Sequence, residues 1–249
     1  MQTKIQKRND QTRLNQPIVI FGGFLSTAHT YQVTGEILQQ ISGQKVSIVP
    51  TEMSQWLLSI TAGGWEALLN ELERTVRLVV KDSHTGKITL VGHSSGGVLS
   101  RQFLSPEPFR GHSYRGLEWV NRLITLGSPH RRNRGSPLHH RLERHYPGAY
   151  YSSDVEYVSV SGKAVRGNSH GSLKERKAYL SYRTLCGNGD TWGDGLVPLS
   201  SAILEGSYPI ILEGASHYSK KKFPWYGSPD VISQWWDVLC DREMSKEED

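Results

Sequence analysis

The chain has 249 residues, of which 37% are hydrophobic and 21% charged, with 25 glycines and 11 prolines. These values exclude disordered and fibrous classes and suit one loop-rich α/β domain. The formal net charge of +5 favours attraction to anionic surfaces, while the two cysteines, Cys186 and Cys240, are too few for a disulfide framework and suit a reducing compartment.

Residues 1–16 are polar and basic with no apolar core, so they read as a flexible tail rather than a secretory signal. Pro17 to Phe21 is a short buried-type strand closed by Gly22-Gly23-Phe24-Leu25, and Tyr31 to Ile41 carries apolar residues at helical spacing. A second strand is expected over Lys45 to Val49, then a long amphipathic helix from about Trp65 to Lys81 with Leu68, Leu69, Leu72, Val76, Val79 and Val80 on one face.

The next stretch organises the rest. An alternating run, Lys87 to Val91, ends in Gly92-His93-Ser94-Ser95-Gly96, and a helix-compatible segment, Val98 to Leu104, follows. Strand, sharp turn and helix with a serine at the apex make a nucleophile elbow, so Ser94 is the candidate nucleophile. Gly92 and Gly96, two residues either side, would let strand and helix approach without a side-chain clash.

Beyond it, Val120 to Leu126 reads as a strand ending in Gly127-Ser128-Pro129-His130. A basic segment follows, with Arg131, Arg132, Arg134, Arg141 and Arg144 against the single acid Glu143, and reads as a solvated, mobile loop. Without a nucleic-acid module or interleaved aromatics it predicts no nucleic-acid partner. Val155 to Val160 alternates as a strand does, and 162–192 is irregular, with a short helix around Ser172 to Leu180. Ile210 to Leu212 is the last strand. Ser228 as N-cap, Pro229 at the first helical position and Asp230 in the first turn open a final helix to Leu239. Residues 241–249 read as a disordered acidic tail.

Six candidate strands alternate with helices, which predicts a mainly parallel sheet covered on both faces, with sites at the carboxyl ends of the strands. The domain is expected over 17–240, and the excursions 127–154 and 162–208 would form a cap. No run approaches the roughly 18 apolar residues of a membrane span, so the expected setting is the cytoplasm.

Three further features answer the serine. Asp194, in Gly193-Asp194-Gly195-Leu196-Val197-Pro198, is the candidate acid; Asp190 is the fallback and Asp154 a weaker one. His217 follows the final strand and is the candidate base, giving the order Ser, Asp, His. His93 points the wrong way out of the turn to be the base, and His130 precedes the acid; both, with Leu25, flank the site as candidate substrate contacts. Oxyanion donors are expected from the Ser95 N–H at a helix start and from Phe24, or Leu25 if the loop is offset by one. The Gly-Gly lacks a third glycine at nucleotide-fingerprint spacing, and neither cysteine is placed for ligation. Neither cofactor nor metal is expected.

Ile18 to Leu25, Leu90 to Gly97, Leu123 to His130, Gly193 to Pro198 and Gly214 to Tyr218 together resemble lipase-like α/β-hydrolases, nearest to the lipase/esterase-like group of cyanobacteria and plant plastids. Ile124 to His130 is similar to a Thr-Leu-Gly-Thr-Pro-His run found after a core strand in many lipases. One departure is Phe21-Gly22-Gly23 where many bacterial lipases carry His-Gly, which leaves the first oxyanion donor open. The resemblance implies an α/β-hydrolase fold and hydrolysis of a carboxylic ester of an acyl lipid, with galactolipids as one class and peripheral contact with an anionic membrane surface. Acyl transfer to another acceptor by the same triad, or a non-catalytic binding protein of this fold, are the alternatives.

Overall fold

Strand β1 (Ile18–Phe21) sends Val19 and Phe21 to one face of a sheet and Ile18 and Ile20 to the other, and all four are buried. A strand apolar on both sides belongs in a parallel sheet covered on both faces. The structure, a computed structural model, describes residues 16–59, 61–133, 137–218 and 224–246. Among the described residues the sheet has six parallel strands. They run in the order β2 (Val46–Ile48), β1, β3 (Ile88–His93), β4 (Val120–Leu126), β5 (Glu156–Lys163) and β8 (Tyr208–Glu213). A small antiparallel pair, β6 (Val165–Arg166) with β7 (Trp192–Gly193), stands apart.

Helices cover both faces. On one, α3 (Ala62–Lys81) and α4 (Ser95–Leu104) pack Leu68, Leu72, Val76 and Leu99 against Val19, Phe21 and Leu90. On the other, α1 (Gln32–Ser42) and α8 (Pro229–Lys246) bring Leu38, Ile232, Trp235 and Trp236 against Ile20, Val91 and Ile124. Each such fully buried apolar side chain contributes about 1.5–3 kcal/mol, so both layers anchor the central strands. With the serine elbow at the carboxyl end of β3, this is the α/β-hydrolase arrangement that the sequence predicts.

Several boundaries differ from the sequence reading. Helix α3 begins at Ala62 rather than near Trp65, because the Thr61 hydroxyl caps it by accepting the Gly64 N–H at 3.2 Å. A six-residue helix, α2 (Met53–Leu58), was not predicted at all. The basic segment is not a mobile loop through its length: α5 (Pro137–His145) packs Leu142 and His139 inward. Helix α6 (Leu173–Cys186) is longer than expected, held at its start by a reciprocal Ser172–Glu175 capping box. Helix α8 runs on to Lys246, so a disordered tail from 241 is wrong for its first six residues. The extension is tied down by charge: Arg242 reaches Glu156 at 3.3 Å, and Glu243 pairs with Arg122. The rest of that tail, like residues 1–15, lies outside the described residues. Gln16 does not, and it is buried, its amide donating to Thr89 Oγ1 at 2.8 Å.

The two long excursions both contribute to the surroundings of the elbow. Pro129, Arg132 and His139 from the first, and Leu180, Leu185 and Val197 from the second, line a cavity with Ser94. The second excursion also carries the short helix α7 (Leu199–Ala202). Among the described residues no helix is long and apolar enough to cross a membrane.

Candidate active site

Ser94 sits between β3 and α4 at φ +52°, ψ −123°, a backbone region that non-glycine residues occupy only when their surroundings hold them there. The hold is visible. The Ser94 N–H donates to the Leu126 carbonyl at 2.9 Å, pinning the apex to the neighbouring strand. The two glycines of the motif divide the work. A Cβ on Gly92 would lie 2.5 Å from Gly97 Cα, so Gly92 permits the close strand–helix approach. A Cβ on Gly96 would lie 2.5 Å from the Phe21 carbonyl oxygen, so Gly96 makes room for the loop after β1. Both were expected to serve the strand–helix contact; only Gly92 does.

The expected partners meet at this serine. His217 Nε2 is 3.0 Å from Ser94 Oγ, and His217 Nδ1 is 2.7 Å from Asp194 Oδ2. Both partner side chains are almost wholly buried. The loops that carry them are joined through the main chain, the His217 N–H donating to the Asp194 carbonyl at 3.0 Å. The Asp194 carboxylate is held at both oxygens. Oδ1 accepts the Leu196 and Val197 N–H groups at 2.9 and 2.7 Å, while Oδ2 takes His217 and the Tyr226 hydroxyl, the latter at 2.8 Å. Tyr226 in turn accepts the Gly162 N–H at 2.8 Å, linking the acid to the end of β5. Burial, reinforced by the Asp194 charge, pushes the Tyr226 pKa well above its usual value, so the phenol remains a donor. The fallback acids lie elsewhere: Asp190 pairs with Arg166 at 2.9 Å, and Asp154 accepts from Ser153 at 2.7 Å.

The loop after β1 is a turn in which the Ser26 N–H donates to the Gly23 carbonyl at 3.0 Å, leaving Phe24 and Leu25 at its corners, Leu25 at φ +61°. It lies against the elbow, since a Cβ on Gly23 would be 2.8 Å from Ser94 Cβ. Phe24 lines the cavities on both sides of Ser94, whereas Leu25 lines only the smaller, of about 310 Å³. Ser95, as the first residue of α4, has no carbonyl one turn behind for its N–H. Both chain segments therefore bring amide groups to the serine.

What fixes the turn is Tyr31, which the sequence reading placed only as a helix start. Its hydroxyl accepts the Gly23 N–H at 2.9 Å, which leaves its own proton for His93 Nδ1 at 2.8 Å. Burial pushes the Tyr31 pKa to about 12 and holds His93 well below the usual histidine range, with His217 adding to the latter effect. His93 is thus neutral and accepts. That matters for its neighbour, because its ring centroid is 4.9 Å from that of His217, and a charged His93 would oppose a charge on the base. Tyr31→Phe leaves the Gly23 N–H and His93 Nδ1 unpartnered. Stability is expected to fall by about 1–3 kcal/mol, and kcat by up to about a hundredfold as the turn shifts. Thermal melts and turnover measurements on the purified variant check both; an unchanged kcat rules out a positioning role.

Of the expected substrate contacts, Leu25 and His93 border the smaller cavity. His130 does not reach either cavity beside Ser94. Its N–H donates to the Ser201 carbonyl at 2.9 Å and its Nε2 meets Thr125 Oγ1 at 3.1 Å, which turns the ring toward a separate hollow beside Arg101. The larger cavity at Ser94 measures about 690 Å³ and is walled by Trp56, Trp65, Leu99, Leu180 and Leu185. Among the described residues no group of three or more His, Cys, Asp or Glu is placed to hold a metal ion.

No family model and no curated protein sequence matches this chain. Among solved structures, the chain is similar to a Xanthomonas campestris pv. campestris protein assigned to the alpha/beta hydrolase superfamily (13% identity, 92% of this chain and 99% of that one, TM-score 0.49). It is also similar to esterase PE8 (12% identity, 92% and 93% coverage, TM-score 0.45). A third is the RedJ thioesterase of Streptomyces coelicolor (15% identity, 93% and 92% coverage, TM-score 0.44).

Proposed function

We propose that this protein is a serine hydrolase of carboxylic esters with an acyl or alkyl chain. The observation that carries the reading is the unbroken buried chain of hydrogen bonds from Asp194 through His217 to a serine held in an elbow. In the proposed cycle Ser94 Oγ attacks the ester carbonyl as His217 Nε2 takes its proton, and a C–O bond forms to the carbonyl carbon. Asp194 holds Nδ1 as the proton-bearing nitrogen and stabilises the imidazolium. The oxyanion takes the Ser95 and Phe24 N–H groups, each worth about 3 kcal/mol in such sites. Collapse breaks the bond to the leaving alcohol, which receives the proton from His217. Water, activated by the same histidine, then releases the acid and restores Ser94.

The apolar walls of the larger cavity support a hydrocarbon chain as part of the substrate. Exposed Met53, Leu57 and Leu58 on α2, beside cavity-lining Trp56, support presentation of that substrate from a lipid surface. A fluorophosphonate probe tests the reading: Ser94 is expected to be the labelled residue in folded protein, and labelling should vanish on denaturation. A folded protein that takes no label refutes it.

A further inference from the structure

The larger cavity beside Ser94 has a mostly apolar wall interrupted by neutral polar groups such as Ser59, Ser181 and Thr184, and Arg132 also lines it. Among its described lining residues Arg132 is the only one charged at neutral pH. Burial, aided by the nearby Arg132 and Arg101 charges, pushes His139 down to about 3, so that ring is neutral, and burial raises the Tyr218 phenol. Of the neighbouring arginines, Arg131 pairs with Glu205 at 2.8 Å and Arg141 with Glu107 at 3.7 Å, while Arg101 donates to the Tyr146 carbonyl at 2.6 Å. The Arg132 guanidinium has no hydrogen-bond or ion-pair partner among the described residues, and its Nε is buried without one. Burial lowers its pKa. A guanidinium stays protonated even so. Arg132 also borders the hollow of about 290 Å³ near His130, but Glu143 and Glu205 supply carboxylates there. Among the described residues the Ser94 side supplies none.

An unpaired, partly desolvated cation is costly to keep unless a ligand brings the opposite charge. Its fork of donors matches a carboxylate or phosphate. We propose that Arg132 sets substrate specificity by taking a carboxylate or phosphate carried on the chain that lies in the cavity, so that the preferred ester has an apolar middle and an anionic end. The proposal rests on Ser94 being the nucleophile that defines the other end. A neutral acyl chain, such as that of a galactolipid, leaves Arg132 bare.

The test compares p-nitrophenyl hemiesters of dicarboxylic acids, from adipate to sebacate, with p-nitrophenyl alkanoates of matched length. In the wild-type protein kcat/KM for the best hemiester is expected to exceed that of its neutral match by about tenfold or more, the scale of one charge-assisted hydrogen bond. Arg132→Leu should collapse this ratio, and Arg132→Lys should restore part of it; using the ratio cancels any general loss of activity. A wild-type ratio at or below one, or a ratio that Arg132→Leu leaves unmoved, overturns the proposal. A second arm is independent of turnover: calorimetric binding of adipate and of hexyl phosphate to the Ser94→Ala protein, with hexanoic acid methyl ester as the neutral control. Binding that Ser94→Ala/Arg132→Leu loses supports the proposal, and the tighter of the two ligands identifies the anion. If no ester is turned over and Ser94 takes no probe, the hydrolase reading fails while this binding arm still decides the role of Arg132. Failure of both anions to bind overturns it.

Discussion

Ser94→Ala is expected to reduce kcat for a p-nitrophenyl ester by about a millionfold, the scale on which serine triads depend on their nucleophile. The change removes one oxygen and little else. Alanine must still adopt φ +52°, as serine does, and the Ser94 N–H bond to Leu126 does not involve the side chain. The melting temperature should therefore stay close to that of the wild type, which separates lost chemistry from lost folding. Some residual rate above that in water is expected if the oxyanion donors are the proposed Ser95 and Phe24 N–H groups, which the substitution leaves in place. Steady-state kinetics on a variant free of wild-type contamination measures the effect; a loss of less than about tenfold removes Ser94 from the mechanism.

Asp194→Asn is expected to cost about ten-thousandfold in kcat, through the wrong tautomer of its neighbour. The asparagine carbonyl can keep the Leu196 and Val197 N–H bonds that Oδ1 now accepts. Its amide nitrogen then replaces Oδ2 and faces His217 Nδ1 and the Tyr226 hydroxyl. An amide there donates, so Nδ1 must accept and the ring proton moves to Nε2. That nitrogen now presents a hydrogen to Ser94 Oγ and cannot take one. Raising the pH is expected to recover part of the rate, since a serine deprotonated by solvent has less need of the base. Kinetics from neutral to alkaline pH check both statements. A variant within about tenfold of the wild type at neutral pH argues that Asp194 does not orient the base.

Ser94, Asp194 and His217, the three side chains that the hydrogen bonds join, were legible in the chain because each is announced locally. Ser94 has its strand, glycines and helix; Asp194 has Gly193, Gly195 and Val197-Pro198; His217 follows a strand. Tyr31 and Tyr226 were not legible, because their hydroxyls act on Gly23, His93, Gly162 and Asp194, partners brought near only by the fold. Helix α5 was masked by its composition: arginines dominate the segment, and Leu142 and His139 are too few to show an apolar stripe. The end of α8 was misread for the opposite reason, since charges that suggest a solvated tail are consumed by Arg122 and Glu156. His130 shows how position after a strand is a weaker signal than it looks. The turn at Gly127, with φ +54°, and the bond to Ser201 carry it past the site.

The order of the strands has a bearing on safety during folding. Ser94 follows β3, inside the sheet, whereas His217 follows β8, which among the described residues is an edge strand paired only with β5. The acid reaches the site through a loop that depends on the same edge, by way of Gly162 at the end of β5 and the main-chain link to His217. Edges open at lower free energy than sheet interiors. A partly folded chain can therefore display a finished elbow around a hydroxyl that is still as inert as any other serine. In this topology the hydrogen-bonded chain from Asp194 through His217 to Ser94 is complete only when β8, the last strand of the sheet in sequence, lies against β5.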